Sequence, residues 1–240
     1  HNLTLNSTVE RAAHESDGVG LFAGIFEGTI ANCTAKGSLV VNGSGTSGYN
    51  GFGGVVGEVT GTTTFENVVN EATVTVDNVN NTRNGVAGIL GGTQGDGSLP
   101  ECVLTFTNCH NKADLTSTAN GEKKRRNMGG IIGYSEGDHT ISIDGCSNSG
   151  DILNETVIED LHMGGLIGTN ICPATTIANS WNTGSVTCAG DQTATGNNYS
   201  LGGLIGYQTG STTITKCANG ATIAEGVMTK LATPNVITIG

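Results

Sequence analysis

Two aspartates and a tryptophan carry the most chemistry this sequence can offer. Asp114 and Asp151 hold equivalent places in two consecutive copies of an internal repeat, and Trp181 stands on the same face one copy further on. If successive copies stack at about 4.8 Å, the two carboxylates fall within the roughly 5 Å spacing of a retaining glycosidase pair. Trp181, the one Trp of the chain, could serve as a sugar platform beside them. His110 and Lys112 join Asp114 on that face, and Ser147 and Ser149 join Asp151. The bland alternative is a solvated strand face with incidental charges. Glu66 and Asp144 share another outward column, with Thr107 between them.

That face depends on the repeat. Six copies open on a small residue and Gly followed by apolar residues: Ala23-Gly24-Ile25, Gly53-Gly54-Val55, Ala87-Gly88-Ile89, Gly129-Gly130-Ile131, Gly164-Gly165-Leu166 and Gly202-Gly203-Leu204. The second glycines lie 30, 34, 42, 35 and 38 residues apart. Each copy then carries an apolar residue three places before a small one: Ile30/Cys33, Phe65/Val68, Phe106/Cys109, Ile143/Cys146, Ile177/Ser180 and Ile214/Cys217. Six places on stands Leu39, Val74, Leu115, Ile152, Val186 or Ile223. The three signals keep their order while the lengths between them vary, so the insertions are loops.

A unit of about 35 residues, rich in Gly and β-branched residues and without helical periodicity, reads as a β-solenoid. The expected fold is all-β: a parallel, right-handed β-helix of about six coils over residues 1–240, with coils opening near 20, 53, 87, 129, 164 and 202. No single coil can bury its apolar face, but a stack makes a continuous core. With 4% aromatics and 39 Gly, a bulky globular core is excluded, while Ile, Val, Leu, Ala and Cys suffice for a narrow one.

Three columns follow from the register. Cys33, Cys109, Cys146 and Cys217 form a ladder of small buried thiols, with Val68 and Ser180 in the remaining copies. Two places on, Ala35, Asn70, Asn111, Asn148, Asn182 and Asn219 form an amide ladder. One place before the small residue, Asn32, Asn67, Asn108, Gly145, Asn179 and Lys216 mark a corner in the left-handed conformation. Off the thiol column lie Cys102, Cys172 and Cys188, of which Cys172 and Cys188 are the expected disulfide. With seven Cys, at least one remains unpaired within the chain. No spacing suggests a metal site or a cofactor.

The net charge of −11 argues against nucleic acid, which needs a basic surface, and against an anionic membrane surface. No apolar run approaches the roughly 18 residues of a membrane-spanning helix. Seven Asn-x-Ser/Thr sequons permit secretion. Asn32 sits at a corner, which leaves Asn2, Asn6, Asn42, Asn80, Asn154 and Asn198 as candidate glycosylation sites. A Thr column at 29, 64, 105, 176 and 213 suggests an ice-binding array, but the adjoining column is broken by Glu66 and Asp144.

The segments GGLIGYQTGSTTITKCANGATI and GGLIGTNICPATTIANSWNTGSVT resemble the GLUG repeat, most closely in the last three copies. The polymorphic outer-membrane proteins of chlamydiae look similar in part, although Phe65-Glu66-Asn67 and Phe106-Thr107-Asn108 are one residue short of their tetrad. The GLUG resemblance implies a secreted or surface protein of adhesin type. The expectation is a non-catalytic extracellular structural or adhesive rod. Its partner, a cell-surface protein or glycan, would be met by the variable loops at 42–51, 77–84, 117–127, 154–162 and 189–200. Since the first and last residues both read as parts of coils, end-to-end self-association or continuation into further repeats is expected. The alternative is a carbohydrate-binding or polysaccharide-cleaving β-helix using His110, Lys112, Asp114, Asp151 and Trp181.

Overall fold

The structure is a computed structural model that describes residues 3–12, 18–42, 48–77, 83–93, 101–118, 125–156, 158, 160–189 and 198–225. These residues contain strands, turns and bends but no helix, so none is long and apolar enough to cross a membrane. Each coil opens with a strand of one six-stranded parallel sheet: Gly18–Gly20, Tyr49–Gly53, Arg83–Ala87, Arg125–Gly129, Asp160–Gly164 and Asn198–Gly202. The rest of the coil belongs to a second sheet that bends around the axis. In the fourth coil it comprises Ile132–Glu136, Thr140–Asp144, the short Ser147–Asn148 and the closing Ile152–Asn154. In the first two coils these pieces run together as Ala23–Asn42 and Val56–Asp77. Leu3–Ala12 pairs with Cys33–Asn42 as the closing strand of a preceding partial coil.

All strand pairs are parallel, and like residues lie over like. One column runs Ile30–Phe65–Phe106–Ile143–Ile177–Ile214, with the Phe65 and Phe106 rings stacked at 4.9 Å. The interior is apolar because these strands alternate inward Ile, Val, Leu and Phe with outward Thr and Ser. The chain is therefore a β-solenoid.

The amide column runs Ala35–Asn70–Asn111–Asn148–Asn182–Asn219. Each Asn donates from Nδ2 to the Oδ1 of the next coil's Asn, at 2.8, 2.7, 2.8 and 3.0 Å from Asn70 onward. The other proton of the same Nδ2 goes to the backbone carbonyl two residues on, at 2.9, 2.8, 2.9 and 3.0 Å. Both donors are thus satisfied inside the core.

This ladder explains the Gly-Gly signature. A Cβ on Gly54, Gly88, Gly130, Gly165 or Gly203 would lie 2.2 to 2.5 Å from the ladder Asn of its own coil. The second glycine is empty space that the amide fills.

Copy 1 departs from the expected register. Gly20, not Ala23, pairs with Gly53, and Ala23 pairs with Val56. The place of the second glycine is taken by Leu21, and copy 1 is also the copy with Ala35 in the ladder. Both are buried in the same apolar cluster. Copy 1 thus has an apolar pair, Leu and Ala, where the other copies have Gly and Asn.

The corner column is as the residue types require. Asn32, Asn67, Asn108, Asn179 and Lys216 have φ between 48 and 54°, and Gly145 has φ 64°. Asn67 and Asn108 donate to the corner Asn of the coil before, at 3.0 and 2.8 Å. The thiol column points inward. Each SH of Cys33, Cys109, Cys146 and Cys217 meets the carbonyl two residues back at 3.2 to 3.4 Å. Ser180 does the same at 2.6 Å, which is why Ser can replace Cys there.

Two expectations fail. No disulfide joins Cys172 to Cys188: Cys172 lies in the cluster that holds Ile177 and Cys188 in the one that holds Met163. The side chains lie at separate parts of the coil, so this disulfide does not form. Asn154 is fully buried, because it continues the inward column Val41–Val76–Ser117 toward Cys188. It cannot carry a glycan in the folded chain.

Two substitutions test the ladders. Asn148→Leu keeps the volume but orphans Asn111 Nδ2 and Asn182 Oδ1, and should lower stability by about 2–4 kcal/mol in urea titration. Gly145→Asn should instead be tolerated, changing stability by no more than about 0.5 kcal/mol in the same titration, because Asn accepts the left-handed conformation that Gly has there. Its Cβ would meet nothing nearer than 3.9 Å, and it would stand between Asn108 and Asn179.

Candidate functional site

The short fourth strands set the candidate face. Their inward residues are the ladder Asn; their outward residues are His110, Ser147, Trp181 and Ala218 in one column. Trp181 is 42% exposed, the most exposed aromatic of the described core. Its ring lies 6.1 Å from that of His110, tilted by 40°, spanning the small Ser147 of the coil between.

His110 is held at both nitrogens. Asn108 commits its Nδ2 to Asn67, so its Oδ1 faces His110 and accepts from Nε2–H at 3.0 Å. The hydrogen-bond network therefore assigns the proton to Nε2, and Ser147 Oγ–H donates to Nδ1 at 2.8 Å. Partial burial, and secondarily Lys112, lower the pKa of this ring. It is a neutral, fixed imidazole with no free lone pair for a substrate.

Asp114 and Asp151 stack as expected, but in another role. Asp114 Oδ1 accepts the backbone N–H of Asp151 at 2.9 Å. Asp151 Oδ1 accepts both the backbone N–H and the hydroxyl of Ser185 at 2.8 Å. Each carboxylate fastens the next coil where the main chain turns into its closing strand. Lys112 leaves the group: its Nζ lies 3.5 Å from Glu71, which Lys36 also holds at 2.9 Å. The hydrogen bond from Lys36, ahead of the contribution of Lys112, keeps the Glu71 carboxyl below the usual range. The face brings together His110 with Trp181 and Asp114 with Asp151, and draws Lys112 away.

The remaining candidates separate by exposure. Asn6 is exposed on Leu3–Ala12, Asn42 is half-buried at a strand end, and Asn198 is exposed, with its amide 3.0 Å from Asp160. Asn2 and Asn80 lie outside the described residues. In the basic run, Arg125 pairs with Asp160 at 2.6 Å, and Arg126 turns into the core, where burial lowers its pKa to about 10.

Two polar clusters escape sequence reasoning. Where the opening and second strands close on each other, Thr169 Oγ–H donates to Asn127 Oδ1 at 2.6 Å. Thr169 therefore accepts from His162 Nδ1–H at 2.9 Å, and the ring stacks on Tyr207 at 4.6 Å. Burial pushes His162 down to about 4, with Asp160 opposing and Arg125 adding to it. The signal was the column Gly18–Gly51–Gly85–Asn127–His162–Ser200, which abandons Gly where a polar pair fills the wedge. The second cluster is Cys102 Sγ, 3.0 Å from His139 Nδ1, both buried. Burial raises the thiol and lowers the imidazole, so the pair is neutral and not an activated nucleophile. Among the described residues, no three His, Cys, Asp or Glu are grouped to hold a metal ion.

Stacked coils, corner, thiol and amide columns together define a parallel β-solenoid repeat protein. Residues 125–153 match the family model of the GLUG motif, and they span one winding, from the opening strand Arg125–Gly129 into the closing strand Ile152–Asn154. The motif is one coil, with Gly129-Gly130, the Gly145 corner and ladder Asn148 at its fixed points. Comparison with curated proteins and with solved structures found no match, and none supports the chlamydial resemblance.

The half-buried His162 predicts a pH dependence. Its folded pKa lies below its unfolded value of about 6.5, so the unfolded chain binds the proton first. Stability should fall as pH drops from about 6.5 to 4, by about 2 kcal/mol after allowance for partial exposure. His162→Gln should remove that share of the slope in urea titrations at pH 7 and 4.5. His110, His139 and Glu71 would retain a smaller slope of the same sign.

Proposed function

We propose that this GLUG-motif solenoid is a non-catalytic extracellular rod, structural or adhesive, that meets its partner through the variable segments between closing and opening strands. The observation that carries this reading is the use of Asp114 and Asp151: both accept backbone N–H groups of the following coil. Each carboxylate gives its Oδ1 to the main chain of the next coil, which supports a use of the pair in holding the stack. His110, equally committed, supports the same reading. The insertions at 43–47, 78–82, 119–124 and 190–197 all fall between a closing strand and the next opening strand. The closing strands they leave, ending at Asn42, Asp77, Ser117 and Cys188, belong to one parallel register, and repeat proteins carry partner-binding loops at such places.

A second reading, carbohydrate binding on the side of the rod, is favoured by one observation, the exposed Trp181 beside the fixed His110. Screening against arrays of matrix proteins and glycans separates the two. Under the rod reading, Asp114→Asn/Asp151→Asn and Trp181→Ala leave the bound ligand unchanged, and Gly-Ser replacement of residues 43–47, 78–82 and 190–197 abolishes it. Polysaccharide cleavage that the double Asp variant loses would sink the reading, and binding lost with Trp181→Ala alone would favour the second.

A further inference from the structure

Four of the seven cysteines share one column, but only two of them are neighbours in it. The column runs Cys33–Val68–Cys109–Cys146–Ser180–Cys217. Cys33 therefore lies against Val68, Cys217 against Ser180, and Cys109 against Cys146. Off the column, Cys102 and Cys172 belong to coils 3 and 5, with coil 4 between them, and Cys102 faces His139 at 3.0 Å. Cys188 is opposed by Asn154 and Glu225. Cys109 and Cys146 are thus the one pair of cysteines that the register sets at the same position of consecutive coils.

Both side chains are fully buried in the same apolar cluster. Directly opposed residues of adjacent parallel strands stand about 4.8 Å apart, inside the range of about 4.4–6.8 Å between Cα atoms that a disulfide spans. The Cys109 N–H donates to Cys146 Sγ at 3.3 Å, so that sulfur leans out of its own coil toward coil 3. The same sulfur lies 3.5 Å from the Phe106 carbonyl of coil 3. The two thiols are within hydrogen-bonding reach of each other. Two residues on, Asn111 donates to Asn148 at 2.7 Å and holds the two coils in this register.

We propose that Cys109 and Cys146 are a disulfide site that staples coil 3 to coil 4 when the chain folds in the presence of a low-molecular-weight disulfide. Turning Cys109 Sγ from the Phe65 carbonyl of coil 2, 3.4 Å away, toward coil 4 brings the sulfurs together without a change of register. The thiolate of one cysteine attacks a sulfur of the external disulfide, forms a mixed disulfide and releases one thiolate. The other cysteine, deprotonated, attacks the protein sulfur of the mixed disulfide and releases the second. The two cysteines lose two electrons and two protons, and the external disulfide takes up both and leaves as two thiols. Since the finished stack buries both sulfurs, the exchange takes place before coils 3 and 4 close on one another. The link closes a loop over residues 110–145, and a long loop gains more from a cross-link than a short one. The site rests on the register and not on what the rod meets.

The full chain refolded from urea with a mixture of reduced and oxidised glutathione, then alkylated and mapped without reduction, tests the site. Trypsin cuts between the two cysteines, at Lys112, Lys123, Lys124, Arg125 and Arg126. The Cys109 and Cys146 peptides should be recovered joined, with the other five cysteines alkylated. The urea midpoint should exceed that of the chain refolded with reductant, and reduction should return it. Cys109→Val and Cys146→Ser carry residues that the column already holds at Val68 and Ser180. Both should fold, show no link and keep a midpoint that the oxidant leaves unchanged. Recovery of all seven cysteines alkylated, a link between any other pair, or a linked chain no more stable than the reduced one would overturn the proposal.

Discussion

The register of this fold depends on a buried amide satisfied by an identical amide one coil away. Asn is well suited to that position. Its Nδ2 carries two protons and its Oδ1 accepts one from below, so a column of Asn can satisfy itself indefinitely along the axis. Lengths of 2.7 to 3.0 Å over four successive steps show a ladder under no tension. The same amides tie each coil to itself through the carbonyl two residues on. Coil shape and coil spacing are thus fixed by one side chain.

Such a ladder contributes little net energy, since its bonds replace bonds to water. Its effect is on alternatives. Apolar columns alone tolerate sliding, because Ile over Val is nearly as good as Ile over Ile. A slip of one residue would turn every ladder amide toward solvent and drive its outward neighbours into the core. Five Asn in register make that slip prohibitive. This is also why loops can differ so much in length between coils. Closing a longer loop adds only slowly to the entropic cost, and the ladder restores the register after each excursion.

What the sequence made legible was what repeats. Residue type at fixed spacing exposed the apolar column, the thiol column, the left-handed corner and the amide ladder, because each is set by a one-residue rule. What it hid depended on two residues acting together. Gly-Gly was visible as a signature, but its cause lies in the Asn some sixteen or more residues downstream. The small-Gly signature of copy 1 aligned three residues late, at Ala23-Gly24, although its coil opens near residue 20 as expected. Leu21 with Ala35 is an apolar pair in the places that Gly and Asn hold elsewhere. Asn154 reads as a sequon by local pattern and is buried by its column. His162 reads as a scattered histidine and is placed by Thr169, seven residues on. The acidic pair shows the limit most plainly: stacking of Asp114 over Asp151 was legible, and their occupation by backbone N–H groups was not.

The direction of the ladder has a consequence for the molecule as a rod. A column of apolar residues is the same read from either end, but a column of amides is a donor at one end and an acceptor at the other. Here the acceptor end is closed by replacing Asn with Ala35 and covering it with Leu5, which removes the polar group rather than satisfying it. On the donor side the described column runs as far as Asn219. A polar terminus in water costs nothing, because water accepts the proton. The cost arises only when the wrong surface covers it. Positions along the described column therefore differ in what they tolerate: hydrocarbon suits the Ala35 position and is excluded from the Asn positions. Specificity along the axis comes from one amide proton per coil, with the apolar columns supplying the cohesion that makes its satisfaction matter.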